Sequence, residues 1–166
     1  MANIITTEKI IDDNKRALVK VVVIGDGTNE ANTVIVPAAS LRFSMNVNNQ
    51  VMSGLTDRKA TYNVAISRIF GHCRTANGYT KLQWRDTQNT AIVTIGNGNF
   101  DYSFGDAGSG RNAVLKANNL LASNGDILLT SVSQQINDCL TVFLDLRKDG
   151  RDYDQGQTAD PVAFNR

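Results

Sequence analysis

The apolar positions of this chain recur every second residue in short runs separated by turn-forming residues, the pattern of β-strands with one covered face. The clearest run lies near the C-terminal end. Leu140, Val142, Leu144 and Leu146 alternate with Cys139, Thr141 and Asp145, interrupted by Phe143. Asp126 to Ser133 precedes it as a short apolar and hydroxyl-rich run, and the polar cluster Gln134, Gln135, Asn137 and Asp138 between them predicts a tight antiparallel hairpin over Gly125–Lys148.

Further strands follow from the same reasoning along the chain. Ala17 to Ile24 is so rich in β-branched residues, with Lys20 the one polar interruption, that it suits a strand covered on both faces. After Gly25-Asp26-Gly27, extended structure resumes at Asn32–Val36 and reaches an edge or corner at Pro37. Leu41, Phe43, Met45 and Val47 alternate with Ser40, Arg42, Ser44 and Asn46, which predicts a half-buried strand over Ala38–Val47. Asn48–Lys59 reads as a loop. Thr61–Phe70 reads as a strand that turns at Gly71, and Asn77-Gly78 as a two-residue hairpin turn. Strands at Tyr79–Arg85 and Thr90–Ile95 flank the turn Asp86–Asn89, and Gly96-Asn97-Gly98 leads into an aromatic strand at Asn99–Phe104. Gly105–Gly110 is a glycine-rich loop, and Arg111–Ala122 is read as loop, although Val114, Ala117 and Leu121 would also line one face of a short helix.

The expected architecture is an all-β, antiparallel sandwich domain over residues 17–148. An N-terminal arm or edge segment (1–16) and an extended, polar C-terminal tail (149–166) flank it. At 166 residues one core suffices, burying roughly 70% of the surface of the unfolded chain. With 42% hydrophobic and 20% charged residues the composition is that of a globular domain, and only two of the acids are Glu, a bias away from helix. Seventeen basic and 16 acidic side chains leave a net charge of +1, scattered singly, so neither nucleic acid nor a membrane surface is implied as a partner. No signal-like leader, long apolar run or glycosylation sequon is present, and the reading is a soluble protein.

Candidate chemistry changes this picture little. His72 and Cys73 are adjacent, but neighbours in a strand point to opposite faces and cannot act as nucleophile and base. Cys73 and Cys139 fit two small buried residues in a reducing compartment, with a single bridge between them left open. Asp149, Asp152 and Asp154 could approach a calcium ion but lack the spacing of a known loop, and a solvated turn explains them better. No metal, cofactor or catalytic residue is assigned. Trp84, in phase with Leu82, is read as part of an aromatic core or a subunit interface in preference to a ligand platform. Asp149, Arg151, Tyr153 and Phe164 of the tail, together with Trp84, are the candidates for an assembly interface.

A resemblance carries the functional expectation. Leu82-Gln83-Trp84-Arg85-Asp86, then Ala91–Ile95 ending at Gly96-Asn97-Gly98, then Gly125–Thr130 and Thr141–Lys148, resemble in their order a group of small virion structural proteins of tailed phages that infect marine bacteria, including cyanophages. The resemblance spans roughly residues 60–150. It implies a jelly-roll-like sandwich without enzymatic activity that acts in the virion, as a capsid decoration or other accessory protein. The major capsid protein or other virion proteins, and further copies of itself, would be its partners. The alternative is a receptor- or glycan-binding module of a tail or head fibre, using aromatics such as Trp84 or Tyr102.

Overall fold

The computed structural model describes residues 3–52, 57–104, 115–116 and 122–155. Two antiparallel sheets pack face to face. The ten strands are β1 (Ile4–Asp12), β2 (Arg16–Asp26), β3 (Thr33–Val36), β4 (Val64–Arg74), β5 (Tyr79–Trp84), β6 (Ala91–Ile95), β7 (Gly98–Ser103), β8 (Leu115–Lys116), β9 (Ile127–Val132) and β10 (Ile136–Lys148). The larger sheet has the order β1-β2-β10-β4-β7, with β8 also paired to β4; the smaller has the order β3-β9-β5-β6.

The pairing is nested. β2 pairs with β10, β3 with β9, β4 with β7 and β5 with β6, so the first half of the chain folds back along the second half. Successive pairs alternate between the sheets. The alternation seen in the sequence becomes an inner and an outer face. On β2 the residues Ala17, Val19, Val21 and Val23 point inward, and on β10 Leu140, Val142, Leu144 and Leu146 do the same, all at most 3% exposed. From the smaller sheet Ile35, Leu82, Trp84, Ile95, Ile127 and Leu129 close the core. Apolar burial on this scale, at roughly 25 cal/mol per Å², is what holds the sheets together.

Several sequence expectations are corrected. Gly125–Lys148 is not a hairpin: β9 belongs to the smaller sheet and β10 to the larger, and Ser133–Gln135 carries the chain across the sandwich. Asn77-Gly78 likewise joins β4 to β5 in different sheets. At Gly78 a Cβ would lie 2.6 Å from the Val132 carbonyl oxygen, so this glycine serves a close backbone approach. Gly71 does not end its strand. It sits within β4, where a Cβ would meet the Thr141 oxygen at 2.0 Å and the Phe100 ring at 3.0 Å.

A bulge at Ser67, whose hydroxyl donates to the Asp145 carbonyl (3.0 Å), shifts the phase of β4, so Ile69 turns inward and Phe70 outward. Ala38–Val47 is no strand either. Pro37 leads into a single 3-10 turn at Ala38–Ser40, and Phe43 takes a positive φ of 65° that breaks the extended run. Residues 1–16, expected as an arm or edge segment, supply the edge strand β1 from Ile4. Of Arg111–Ala122, only β8 and Ala122 lie within the described residues.

Gly125, just before β9, has φ +87°, and a Cβ there would lie 2.2 Å from the Tyr62 carbonyl oxygen. Gly125→Ala is expected to cost about 2–4 kcal/mol of stability. Gly96→Ala, where an added Cβ meets nothing within 4 Å, should stay within about 0.5 kcal/mol. Urea denaturation of both variants checks the pair; equal effects would refute the close approach at Gly125.

Candidate functional site

A network of polar side chains lies at one end of the sandwich, around the long connection from β3 to β4. This connection has little ladder of its own, so its backbone donors need other partners. Three carboxylates from three distant segments supply them. Ala38 N–H donates to Asp126 Oδ1 (2.8 Å), Arg42 N–H to Asp12 Oδ2 (2.9 Å) and Asn63 N–H to Asp152 Oδ2 (2.9 Å). Each carboxylate also faces a cation: Asp126 faces Arg85 at 3.4 Å, Asp152 faces Lys59 at 3.3 Å, and Asp12 is paired with Lys148.

Lys148 is the most buried of these cations, its side chain fully shielded. An ammonium has three donors. Here they go to the Asp12 carboxylate, the Asp13 carbonyl and, at 2.8 Å, the Arg42 carbonyl. The Tyr153 ring lies 5.4 Å from the nitrogen, a cation–π contact. Burial lowers the Lys148 pKa, opposed by the hydrogen bond and charge of Asp12.

Residues 149–155, expected to start an extended tail, are packed into this end. Tyr153 is fully buried, donates from its hydroxyl to the Ala38 carbonyl (2.7 Å) and lies 5.7 Å from the Tyr62 ring, centroid to centroid. As an assembly-interface candidate it is therefore corrected to an internal anchor. Burial, the largest cause, pushes its phenol well above the usual range. Asp152, read as part of a solvated turn, is 6% exposed and holds Asn63 and Lys59. Asp149 and Arg151 form a local pair (2.8 Å) with the Arg151 side chain largely exposed. Phe164 lies outside the described residues. Trp84 is 3% exposed and belongs to the core, so it offers no ligand platform; Tyr102, the other aromatic named for glycan binding, is 38% exposed and stacks on Phe100.

Between these groups lies a cleft of about 360 Å³, lined by Ala39, Val47, Arg58, Tyr62, Asn124 and Asp126 among others. Three of its polar residues, Tyr62, Asn124 and Asp126, are already engaged. Tyr62 donates to the Met45 carbonyl (2.8 Å), and Asn124 and Asp126 bond each other through both side chain and backbone. Among the described residues that line it, no nucleophile stands beside a base. Among the described residues no group of three His, Cys, Asp or Glu is placed to hold a metal, and no helix is long and apolar enough to cross a membrane.

The two cysteines are free and lie on adjacent strands with opposite facing: Cys73 pairs with the inward Leu140, whereas Cys139 is on the outer face. Burial pushes the Cys73 thiol up to about 11, while Cys139 is half-exposed. Nothing beyond β periodicity in the sequence pointed to Asp12, Asp126 or Lys148, whose partners lie as far as 136 residues away. Comparison with family models, with curated proteins and with solved structures finds no match to this chain.

Two predictions follow from this geometry. Lys148→Ala leaves the Asp12 carboxylate and two carbonyls without their donor and should cost about 3–5 kcal/mol. The double variant Asp12→Asn/Lys148→Met should lose less than Lys148→Ala alone, because no unpaired buried charge remains. Chemical denaturation of the three chains measures this, and a double variant weaker than the single would refute the pairing. For the thiols, native protein at mildly alkaline pH should react with one equivalent of a maleimide, at Cys139, and with two after unfolding. Peptide mapping that finds Cys73 labelled first would contradict the assignment.

Proposed function

We propose that this chain is a non-enzymatic structural protein of a phage virion, a decoration or accessory component that binds neighbouring virion proteins such as the major capsid protein. The nested pairing carries the reading. We read the two-stranded ribbon of the pairs β2:β10, β3:β9, β4:β7 and β5:β6, rolled into sheets ordered 2-10-4-7 and 3-9-5-6, as the winding of a jelly roll, an architecture used by viral capsid proteins as well as lectins and cupins. The segments that resemble marine phage virion proteins occupy β5, β6, the turn into β7, β9 and β10 of this ribbon.

The chemistry of the polar end supports a structural role in the same way. Its three acid–base pairs hold the β3–β4 connection in place and satisfy backbone groups, so their ionisable side chains are committed to the fold.

Mass spectrometry of purified particles of the phage that encodes this chain provides the test. The expected result is the chain present in a stoichiometric ratio to the major capsid protein. Absence from particles, or only a few copies per particle, would overturn the decoration reading.

A further inference from the structure

β2 is apolar on both sides, yet the sandwich covers only one. Its inner residues meet the smaller sheet, while Leu18, Val22 and Ile24 face outward with Lys20 the only charge among them. The neighbouring strands extend this outer face. Ile4 lies opposite Ile24, Ile11 opposite Leu18 beside the bulge that contains Ile10, and Ile136 opposite Asp26. Among the described residues nine large hydrophobic side chains are exposed, and five of them, Ile4, Ile10, Ile11, Ile24 and Ile136, belong to this one face. Their exposures run from 37% to 70%, and clustered exposure of this kind marks an interaction surface. Beside them on β10 and β4, Phe143 and Phe70 stack at 4.9 Å with their planes 6° apart.

We propose that this outer face of the larger sheet is where a second copy of the same chain docks, the two related by a twofold axis in the contact plane. Three features favour a copy of itself over another partner. Charges spread over the face pair with one another, Glu8 with Lys20 at 3.9 Å, Arg16 with Asp145 at 2.7 Å and Arg68 with Asp101 at 2.6 Å. A strongly acidic or basic partner would find no complementary field there, and an identical face would meet no unpaired like charge. The size is also right. Five strands of six to 13 residues, about ten on average, at about 4.8 Å spacing give roughly 800 Å² before side-chain relief, of the order of the about 800 Å² per partner of a standard interface. Third, an axis that crosses β2 near its middle, perpendicular to the strands, lays the isoleucine stripe of β1 and β2 antiparallel on its own symmetry mate, the self-complementary arrangement a twofold contact requires. The two sheets would then stack as aligned faces about 10 Å apart.

This contact goes beyond the virion reading and does not depend on it, because it is a property of the isolated chain. Sedimentation velocity and light scattering on purified protein at tens of micromolar should give twice the 18.1 kDa chain mass. Ile4→Glu/Ile24→Glu, at side chains 60% and 42% exposed, should keep the circular dichroism spectrum and raise the dissociation constant at least about tenfold. Val34→Glu, an exposed position on the smaller sheet, should leave the dimer intact. Hydrogen exchange of the unmodified chain should show protection of residues 4–11 and 17–24 that grows with concentration, which keeps the test valid should the double variant fail to fold. A monomer at every concentration, a ring of three or more copies, or a dimer indifferent to the double substitution would overturn the proposal. So would protection of this face only on addition of a different virion protein, which would assign the surface to that partner. Particle mass spectrometry bears on the virion reading alone, so the two can fail separately.

Discussion

The structure depends on how the β3–β4 connection is held. A sandwich of nested pairs needs long crossings at its ends, and backbone groups in such a crossing have no ladder to join. Here three carboxylates, Asp12 at the end of β1, Asp126 before β9 and Asp152 beyond β10, each accept one backbone N–H of this connection. Their desolvation is offset by the cations beside them, and the strictest case is Lys148, whose three donors all have partners. Removing one member of such a set costs more than the set contributes as a whole, because the remaining charge is left buried without a partner. The fixed position of the connection is thus a property of the network, which ties both termini of the sandwich to its middle.

That network also explains why the chain beyond β10 is not a free tail through Gln155. Tyr153 fills space between Tyr62 and Lys148 and closes a hydrogen bond to Ala38, while Gln155 bonds Asn14 in both directions at 3.0 and 2.9 Å. The turn between β1 and β2, the start of the β3–β4 connection and the segment after β10 are therefore one packed unit. A hydrophobic face alone would leave the order of these loops open; directional acceptors at fixed places select one arrangement.

How much of this was legible in the sequence follows from the range of each interaction. Strands β2, β5, β6, β9 and β10 were readable because alternation is local, and the inward Leu140, Val142, Leu144 and Leu146 were named by it. The phase of Trp84 with Leu82 gave its inward direction, whereas its place among the assembly-interface candidates does not fit a side chain 3% exposed. The same local pattern cannot say which sheet the next strand enters. For that reason the runs at 126–133 and 138–146 looked like a hairpin, whereas the first pairs with β3 and β5 and the second with β2 and β4. The strand expected at Ala38–Val47 fails on a single positive φ at Phe43 and on hydrogen bonds that leave the segment, Met45 N–H to the Asp152 carbonyl and Val47 N–H to the Asp57 carbonyl. Asp12, Asp126 and Lys148 gave no signal, since a buried ion pair is invisible until its partners meet. The double-sided apolar character of Ala17–Ile24 was legible, and only the single chain leaves it half answered.

The edges of the sheets bear on that last point. A protein that assembles can do so by adding strands at an open edge or by burying a face, and β1, β7, β3 and β6, which end the two sheet orders, are guarded against the first route. β3, β6 and β7 are four to six residues long, too short to template another chain. β1 is longer, but a bulge after Lys9 breaks its register, and its inward side chains reach across to β3 and the 3-10 turn that follows it: Thr7 donates to the Ile35 carbonyl at 3.0 Å and Lys9 to the Ser40 carbonyl. An inward lysine on an edge strand opposes edge-to-edge pairing, because a second chain there would have to bury its charge. With the edges closed in this way and the isoleucines of β1, β2 and β10 left outside, association through the sheet face is the route that the distribution of polar and apolar side chains leaves open.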